Sequence, residues 1–301
     1  MQNRYRLGRL AGALLALGLI VPVVGDDALV RHFPKYHAVV NWQTRVVVVQ
    51  GFAPLGKPAT PWALRRAKDA AASSARRNLL GVATVIVPIT GDQKRRQAMA
   101  NEVLRAAARG KRRDRKLPDG RYQVTLEVAL AGKSGLTGVL AAYLRRSAPV
   151  TLLTIASRGD SPEKAYDLLP ATGEEDLLTP AEAKGPFTGL IVDARGLGIQ
   201  TSMSPVIYDP RNNKVYAGEF ADPDFVSDVG VVGYMAAIKA ALATSRVGKK
   251  PLVVRAVGSP DEFRRCVSVS EADAARLLAA AKADGFLKKC AVTFVIDRQG
   301  P

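Results

Sequence analysis

The sequence predicts an α+β protein of two small domains, each a mixed or antiparallel sheet packed with two helices. Nearly half of the residues are apolar, so the chain can build a packed core. Its 301 residues exceed the roughly 100–200 that one core usually holds, which favours two domains. Short apolar strand patterns also alternate with helical ones. We place the boundaries at 1–25 (signal peptide), 26–156 (basic domain), 157–186 (linker or loop) and 187–301 (C-terminal domain).

The first 25 residues have the pattern of a signal peptide. Three arginines precede an apolar run, Leu10–Val24, which is shorter than the roughly 20 residues that span a bilayer. Val23 and Gly25 are small enough for a cleavage site after Gly25. No cysteine lies near the cut, so a lipid anchor is not expected. We predict a periplasmic protein, peripheral to the outer membrane; the alternative is an uncleaved N-terminal anchor.

The first domain is predicted to alternate strands and helices. Thr60 and Pro61 have the residue types of an N-cap and a first helical position, for a helix that runs to about Leu80. Arg121–Leu130 alternates apolar and polar residues, as a half-buried strand does. The other predicted elements are Tyr36–Gln50 (one long strand or two short ones), Val82–Ile89 (strand), Asp92–Arg109 (helix), Lys111–Lys116 (charged loop), Leu136–Leu144 (helix) and Val150–Ile155 (strand).

Four arginines on the first helix form the candidate binding surface, which we call the arginine ridge: Arg65, Arg66, Arg76 and Arg77. Arg65 and Arg76 are 11 residues apart, close to three helical turns, and the other two repeat that relation. Between Arg65 and Lys116 there are 15 basic and 4 acidic residues. Such an excess indicates an anionic partner.

The partner is not expected to be nucleic acid. The basic stretch lacks the interleaved aromatic residues on which single-stranded bases stack, and an exported protein rarely meets nucleic acid. A nucleic-acid binder would require a signal peptide that does not function. We expect an anionic envelope component, either outer-membrane lipid or wall polymer, or an envelope protein assembly. The sequence indicates no cofactor and no oligomeric state.

The second domain begins with an apolar strand at Leu190–Val192, followed by a glycine-containing bend. Next come a predicted hairpin across Pro210–Asn213 and a helix from Ser227 or Asp228 to Thr244. Ser270 and Asp273 predict the start of a helix that Gly285 ends. The remaining predicted strands are Leu252–Val257, Cys266–Val269 and Cys290–Asp297.

Asp193 and Arg195 are the only candidate site residues that we assign in this domain. A pocket around them would favour the alternative function, a periplasmic hydrolase, although no G-x-S-x-G motif marks a nucleophile. No cluster of histidines and cysteines predicts a metal site. The acidic residues near position 224 lack the glycine and glutamate of an EF-hand loop.

Cys266 and Cys290 each open a predicted strand, and a helix connects the two strands. A parallel β-α-β arrangement would place both cysteines at one end of neighbouring strands, within reach of a disulfide. Export makes oxidation plausible. Two buried free cysteines are the open alternative.

The chain resembles a bacterial envelope family. Residues 36–138 are similar to small outer-membrane-associated lipoproteins and to the flagellar assembly protein T of the periplasmic H-ring. The features that carry this resemblance are the Ala-rich helix after Thr60-Pro61, a second helix and the segment DGRYQVTLEVAL. The segments TGLIVDARGLG, SPVIYD and FLKKCAVTFVID resemble those of uncharacterised secreted proteins. The resemblance implies a non-enzymatic scaffold or assembly factor, with a link to flagellum assembly.

Overall fold

The fold is α+β, with two sheets that form two domains. The computed structural model describes residues 29–56, 60–87, 93–146 and 171–298. These residues contain twelve strands and six α-helices. The predicted signal peptide, the predicted strand Val150–Ile155 and the first part of the predicted linker lie outside the described residues.

The first sheet has five antiparallel strands in the order β1-β2-β3-β5-β4. Tyr36–Gln50 contains a turn and a hairpin, so the alternative of two short strands is the correct one. Three helices accompany this sheet in the described residues, at the positions of the three helices predicted for this domain. The elements are β1 Val30–Phe33, β2 Ala38–Asn41, β3 Val46–Pro54, α1 Pro61–Ile86, α2 Gln93–Arg109, β4 Lys111–Lys116, β5 Arg121–Ala129 and α3 Leu136–Arg146.

Helix α1 begins where the sequence predicts and ends later. The hydroxyl oxygen of Thr60 accepts a hydrogen bond from the amide of Ala63 at 3.1 Å, and Pro61 occupies the first turn. The helix continues to Ile86, so the strand predicted at Val82–Ile89 is wrong for the residues that the structure describes; Pro88 and Ile89 lie outside them. Val82 and Ile86 are one helical turn apart and both are fully buried, which shows that the apolar run extends the inner face of the helix.

Helix α1 packs unusually close to β3. A Cβ atom on Gly51 would lie 2.2 Å from the carbonyl oxygen of Ala71 and 2.2 Å from the amide nitrogen of Ala75. The glycine and the two buried alanines therefore let the helix backbone rest directly on the strand. The helix with the ridge is held rigidly against the sheet.

The charged segment Lys111–Lys116 is an edge strand, so its assignment to a loop is wrong. It pairs antiparallel with β5, with Lys111 opposite Glu127 and Lys116 opposite Tyr122. All six residues are exposed. Charged side chains suit an edge strand because they oppose pairing with another chain.

The second sheet has seven strands in the order β8-β7-β11-β10-β6-β12-β9 and is mixed. Its strands β10, β6, β12 and β9 are mutually parallel and mostly buried. The elements are β6 Leu190–Asp193, β7 Ile207–Tyr208, β8 Lys214–Tyr216, α4 Pro223–Val229, β9 Gly233–Met235, α5 Ile238–Leu242, β10 Leu252–Gly258, β11 Val267–Val269, α6 Glu271–Asp284 and β12 Val292–Val295.

Two local predictions for this domain are confirmed and one is wrong. β7 and β8 form the predicted hairpin. The Ser270 side chain caps α6, and Gly285 follows the helix in the left-handed conformation. The long helix expected to end at Thr244 is instead α4, β9 and α5, because the backbone leaves the helix at Gly230, where φ is +79°.

The two domains share one apolar core. The carbonyl oxygen of Ile86, at the end of α1, accepts a hydrogen bond from the amide of Met203 at 2.8 Å. The rings of Trp42 and Tyr234 meet edge to face with centroids 5.3 Å apart. Buried residues of both sheets form one continuous cluster. Among the residues described, no helix is both long and apolar enough to cross a bilayer.

Candidate functional site

The arginine ridge lies on the outer surface of α1. Arg65, Arg66, Arg76 and Arg77 are all exposed, while the opposite side of the helix buries alanines and larger apolar residues. None of the four forms an ion pair with a carboxylate of the described residues. Residues 11 apart are separated by about 16 Å along a helix, so the four charges cover three turns of a rigid element.

Trp62 extends the ridge and was missed from the sequence. Its side chain is 65% exposed, and the guanidinium carbon of Arg66 lies 4.6 Å from the ring centroid. The two residues line a shallow groove of about 470 Å³ together with Pro54 and Ala63. A sequence signal for this pair does exist: Trp62 and Arg66 are four residues apart in the first turns of a predicted helix, so their side chains lie on the same face.

Three of the five basic residues of the edge strand β4 form ion pairs. Lys111 and Arg113 lie 3.2 and 3.6 Å from the carboxylate of Glu127, and Arg112 lies 2.7 Å from Asp114. The hydrogen bond from Arg112 is the main cause that lowers the pKa of Asp114. Asp114 and Glu127 therefore offset two of the five positive charges of β4, whereas no carboxylate of the described residues pairs with the ridge.

Asp193 and Arg195, the predicted pair of the second domain, do lie together. Arg195 donates from Nε to Oδ1 of Asp193 at 2.8 Å and from Nη2 to Oδ2 at 2.9 Å. The Asp193 side chain is 1% exposed, at the carboxyl end of β6. This bidentate pair raises the pKa of Arg195.

Two further residues complete the cluster around Asp193 and were not predicted. Arg255 stands opposite Asp193 in the parallel pairing of β10 and β6, with Nη1 3.7 Å from Oδ2. Glu174 accepts a hydrogen bond from Arg195 at 2.8 Å and others from the amides of Ile238 and Lys239. Burial alone would raise the pKa of Glu174, but these hydrogen bonds together lower it.

The charges of this cluster satisfy one another. The arrangement fastens the segment around Glu174, which was predicted to be part of a linker or loop, to the edge of the second sheet. The neighbouring Glu175 accepts hydrogen bonds from the amide and hydroxyl of Thr172, and the amide bond is the main cause that lowers the pKa of Glu175 to about 2. The cluster is therefore suited to holding together the segment around Glu174, the end of β6 and strand β10.

Cys266 and Cys290 are free thiols in the structure. The predicted neighbouring parallel strands are wrong, because β10 and β6 lie between β11 and β12. β11 also runs antiparallel to β10, whereas β12 runs parallel to β6. Strands three places apart are separated by about 14 Å, beyond the reach of a disulfide. Burial is the main cause that raises the pKa of each thiol to about 11.

The acidic residues near position 224 have a local structural role. The carboxylate of Asp222 accepts a hydrogen bond from the amide of Asp224 at 2.8 Å and caps the short helix α4. Within the described ranges, no group of three or more histidine, cysteine, aspartate or glutamate residues is placed to hold a metal ion.

Comparison with known proteins places the second domain near an uncharacterised bacterial family. Residues 189–298 match the family described as Treponema pallidum Tp0624, second domain. The matched segment begins just before β6 and ends just after β12, so it contains all seven strands of the second sheet. No curated protein matches the chain. The resemblance of the first domain to the lipoproteins and to the flagellar assembly protein T is not confirmed by this comparison.

Proposed function

We propose that this protein is an exported, non-enzymatic envelope protein that binds an anionic surface through the arginine ridge. The observation that carries the proposal is the exposure of four arginines on one rigid helix, with no carboxylate partner among the described residues. A solvated protein surface usually interleaves both signs of charge. Unpaired charges that are fixed in space are suited to a polyanionic partner.

Trp62 supports a surface-bound role. An exposed tryptophan beside arginine combines an apolar ring with a cation, as residues at membrane–water interfaces do. Such a pair suits a phosphate-rich lipid headgroup layer. Wall polymer and the acidic face of an envelope assembly are the other partners that fit the charge. The resemblance of residues 36–138 directs the search for an assembly to the flagellar basal body.

The hydrolase alternative receives less support. Asp193 is almost fully buried and its two oxygens are already occupied by Arg195, so it offers no free base to a substrate. The match of residues 189–298 carries no assigned reaction. We assign to the second domain the role of a scaffold that makes protein contacts.

Co-sedimentation tests the proposal. Purified protein is mixed with cell-wall sacculi or with outer-membrane vesicles over a range of salt concentrations, beside a variant with all four ridge arginines changed to glutamate. The matched control changes Lys249, Lys282, Lys288 and Lys289, which are exposed in the second domain, to glutamate. Both variants lose the same charge, so a difference between them reports position rather than net charge.

We expect the wild-type protein and the lysine control to pellet at low salt and to be released as salt rises. The ridge variant should stay in the supernatant. If the wild-type protein pellets with neither material at low salt, the proposal is wrong. Equal loss of pelleting in the two variants would show that only net charge matters.

A further inference from the structure

A cavity between the two domains contains a second concentration of positive charge, separate from the ridge. It has a volume of about 110 Å³ and is lined by residues of both sheets, including Trp42, Arg45, Thr137, Ser202, Arg246 and Thr293. The exposed residues Gln43, Arg45 and Ser245 line its outer part, so the cavity reaches the surface. No aspartate or glutamate is among its lining residues.

Arg246 lies in the wall of this cavity without a carboxylate partner in the part of the chain that the structure describes. Its guanidinium donates to the carbonyl oxygens of Val229, of Gly230 at 3.2 Å and of Cys290 at 2.9 Å. Burial first, and then repulsion from Arg45, lower the pKa of Arg246 to about 10. The group still carries its full charge at neutral pH, and carbonyl dipoles do not cancel that charge.

Arg45 adds a second positive charge. Its side chain also lines the cavity, and no hydrogen bond or ion pair to a described residue engages its guanidinium. Its repulsion with Arg246 raises the electrostatic free energy of the empty site, by an amount that solvent around the exposed Arg45 reduces. An anion between them would remove that cost.

Two hydrogen-bonding groups in the same wall lack partners. The indole Nε1 of Trp42 and the hydroxyl oxygen of Thr293 are buried, and neither has a hydrogen-bond partner among the described atoms. Thr293 is 1% exposed. A Cβ atom on Gly233 would lie 3.0 Å from Nε of Arg246 and 3.3 Å from Oγ1 of Thr293, so these two atoms flank one point of the wall. Buried polar groups normally have a partner.

From these four groups, we propose that the interdomain cavity binds the oxyanion group of a small ligand, a phosphate or a carboxylate. Trp42 Nε1 and the guanidinium groups can only donate, and the hydroxyl of Thr293 can donate, so the missing partner is an acceptor with several oxygens. The cavity volume suits one such group, with the rest of the ligand leading out past Gln43 and Ser245. The site draws donors from both domains, so its occupation would stabilise their packing.

Tryptophan resonances test the proposal directly. The chain has only two tryptophans, so the two indole N–H signals in a ¹H–¹⁵N spectrum are assigned by Trp42→Phe. Purified protein is titrated with inorganic phosphate and, separately, with acetate, with chloride added to keep the ionic strength constant. We expect the Trp42 signal to shift in a saturable way with at least one of the two anions. The anion that binds more tightly identifies the ligand class.

Variants establish that the site is this cavity. Arg45→Gln and Thr293→Val should each weaken the saturable shift at least tenfold, and neither removes a structural hydrogen bond recorded for the native side chain. Lys282→Gln, an equal loss of charge at an exposed position of the second domain, should leave it unchanged. The proposal is overturned if neither anion shifts the Trp42 signal, if chloride alone produces the same shift, or if the two cavity variants bind as the wild-type protein does.

Discussion

Asp193 and Arg195 form a bidentate ion pair with hydrogen bonds of 2.8 and 2.9 Å between residues only two positions apart. The pair lies at the carboxyl end of β6, where the Asp193 side chain is almost completely shielded from water. Arg255 and Glu174 close the cluster from β10 and from the segment before β6. We assign its role to stability.

Removing one member of this pair should be costly. Asp193→Ala removes the bidentate partner of Arg195, which is half-buried and keeps its ion pair with Glu174, so we expect a loss of about 1.5–3 kcal/mol in the free energy of unfolding, measured by urea denaturation. Glu271→Gln breaks an exposed pair with Arg211 and should cost less than about 1 kcal/mol. Similar losses for the two variants would contradict a structural role for the cluster.

The cluster also predicts an acid-sensitive component of stability. Because the pKa of Glu174 is lower in the folded protein than its ordinary value of 4.5, its contribution is present above about pH 4.5 and is lost as the pH falls towards the folded value. Glu174→Gln should be less stable than the wild-type protein at neutral pH and should lose less on acidification. Urea denaturation at a series of pH values checks this. Parallel pH profiles would show that Glu174 is not involved.

Close packing of α1 predicts a strong effect at Gly51. Gly51→Ala places a Cβ atom against the backbone of Ala71 and Ala75, so we expect a loss of about 1–3 kcal/mol from overpacking. Gly258→Ala is the control, because a Cβ atom there meets no atom within 4 Å. Thermal or urea unfolding measures both. A neutral Gly51→Ala would mean that the helix lies farther from β3.

The free cysteines predict a simple chemical result. Alkylation in denaturant without any reductant should modify both Cys266 and Cys290, as read by intact mass. In the folded protein both should react slowly, because burial raises the pKa of each thiol to about 11 and Cys290 is fully buried. A chain that takes up no alkylating reagent until it is reduced would contain the disulfide that the strand order excludes.

The sequence predicts the local features of this fold better than its long-range ones. The caps at Thr60 and Ser270 are local hydrogen bonds and were found from residue types alone. Val82–Ile89 was assigned to a strand, and its β-branched residues do favour strands, but burial against the core keeps Val82–Ile86 in α1. The charged run at 111–116 has no apolar pattern, and only its pairing with β5 makes it a strand.

The candidate sites also differ in whether local sequence patterns or long-range contacts define them. The ridge follows from the spacing of residues on one helix, which a sequence shows directly. Glu174 and Arg255, the other two members of the Asp193 cluster, lie 19 residues before Asp193 and 62 after it, and only the parallel pairing of β6 and β10 brings Arg255 opposite it. The interdomain cavity joins Trp42 and Arg45 to Arg246 across the contact between two sheets, which no local pattern reveals.

The emission of Trp62 tests most directly whether the ridge is the binding surface. In Trp42→Phe, Trp62 is the one remaining tryptophan, and it lies beside Arg66. On addition of whichever material pellets the protein, sacculi or outer-membrane vesicles, we predict a blue shift of this emission and protection from the neutral quencher acrylamide. Both effects should disappear when the four arginines become glutamates and persist in the four-lysine control. Binding that leaves Trp62 as accessible as in the free protein would contradict the account.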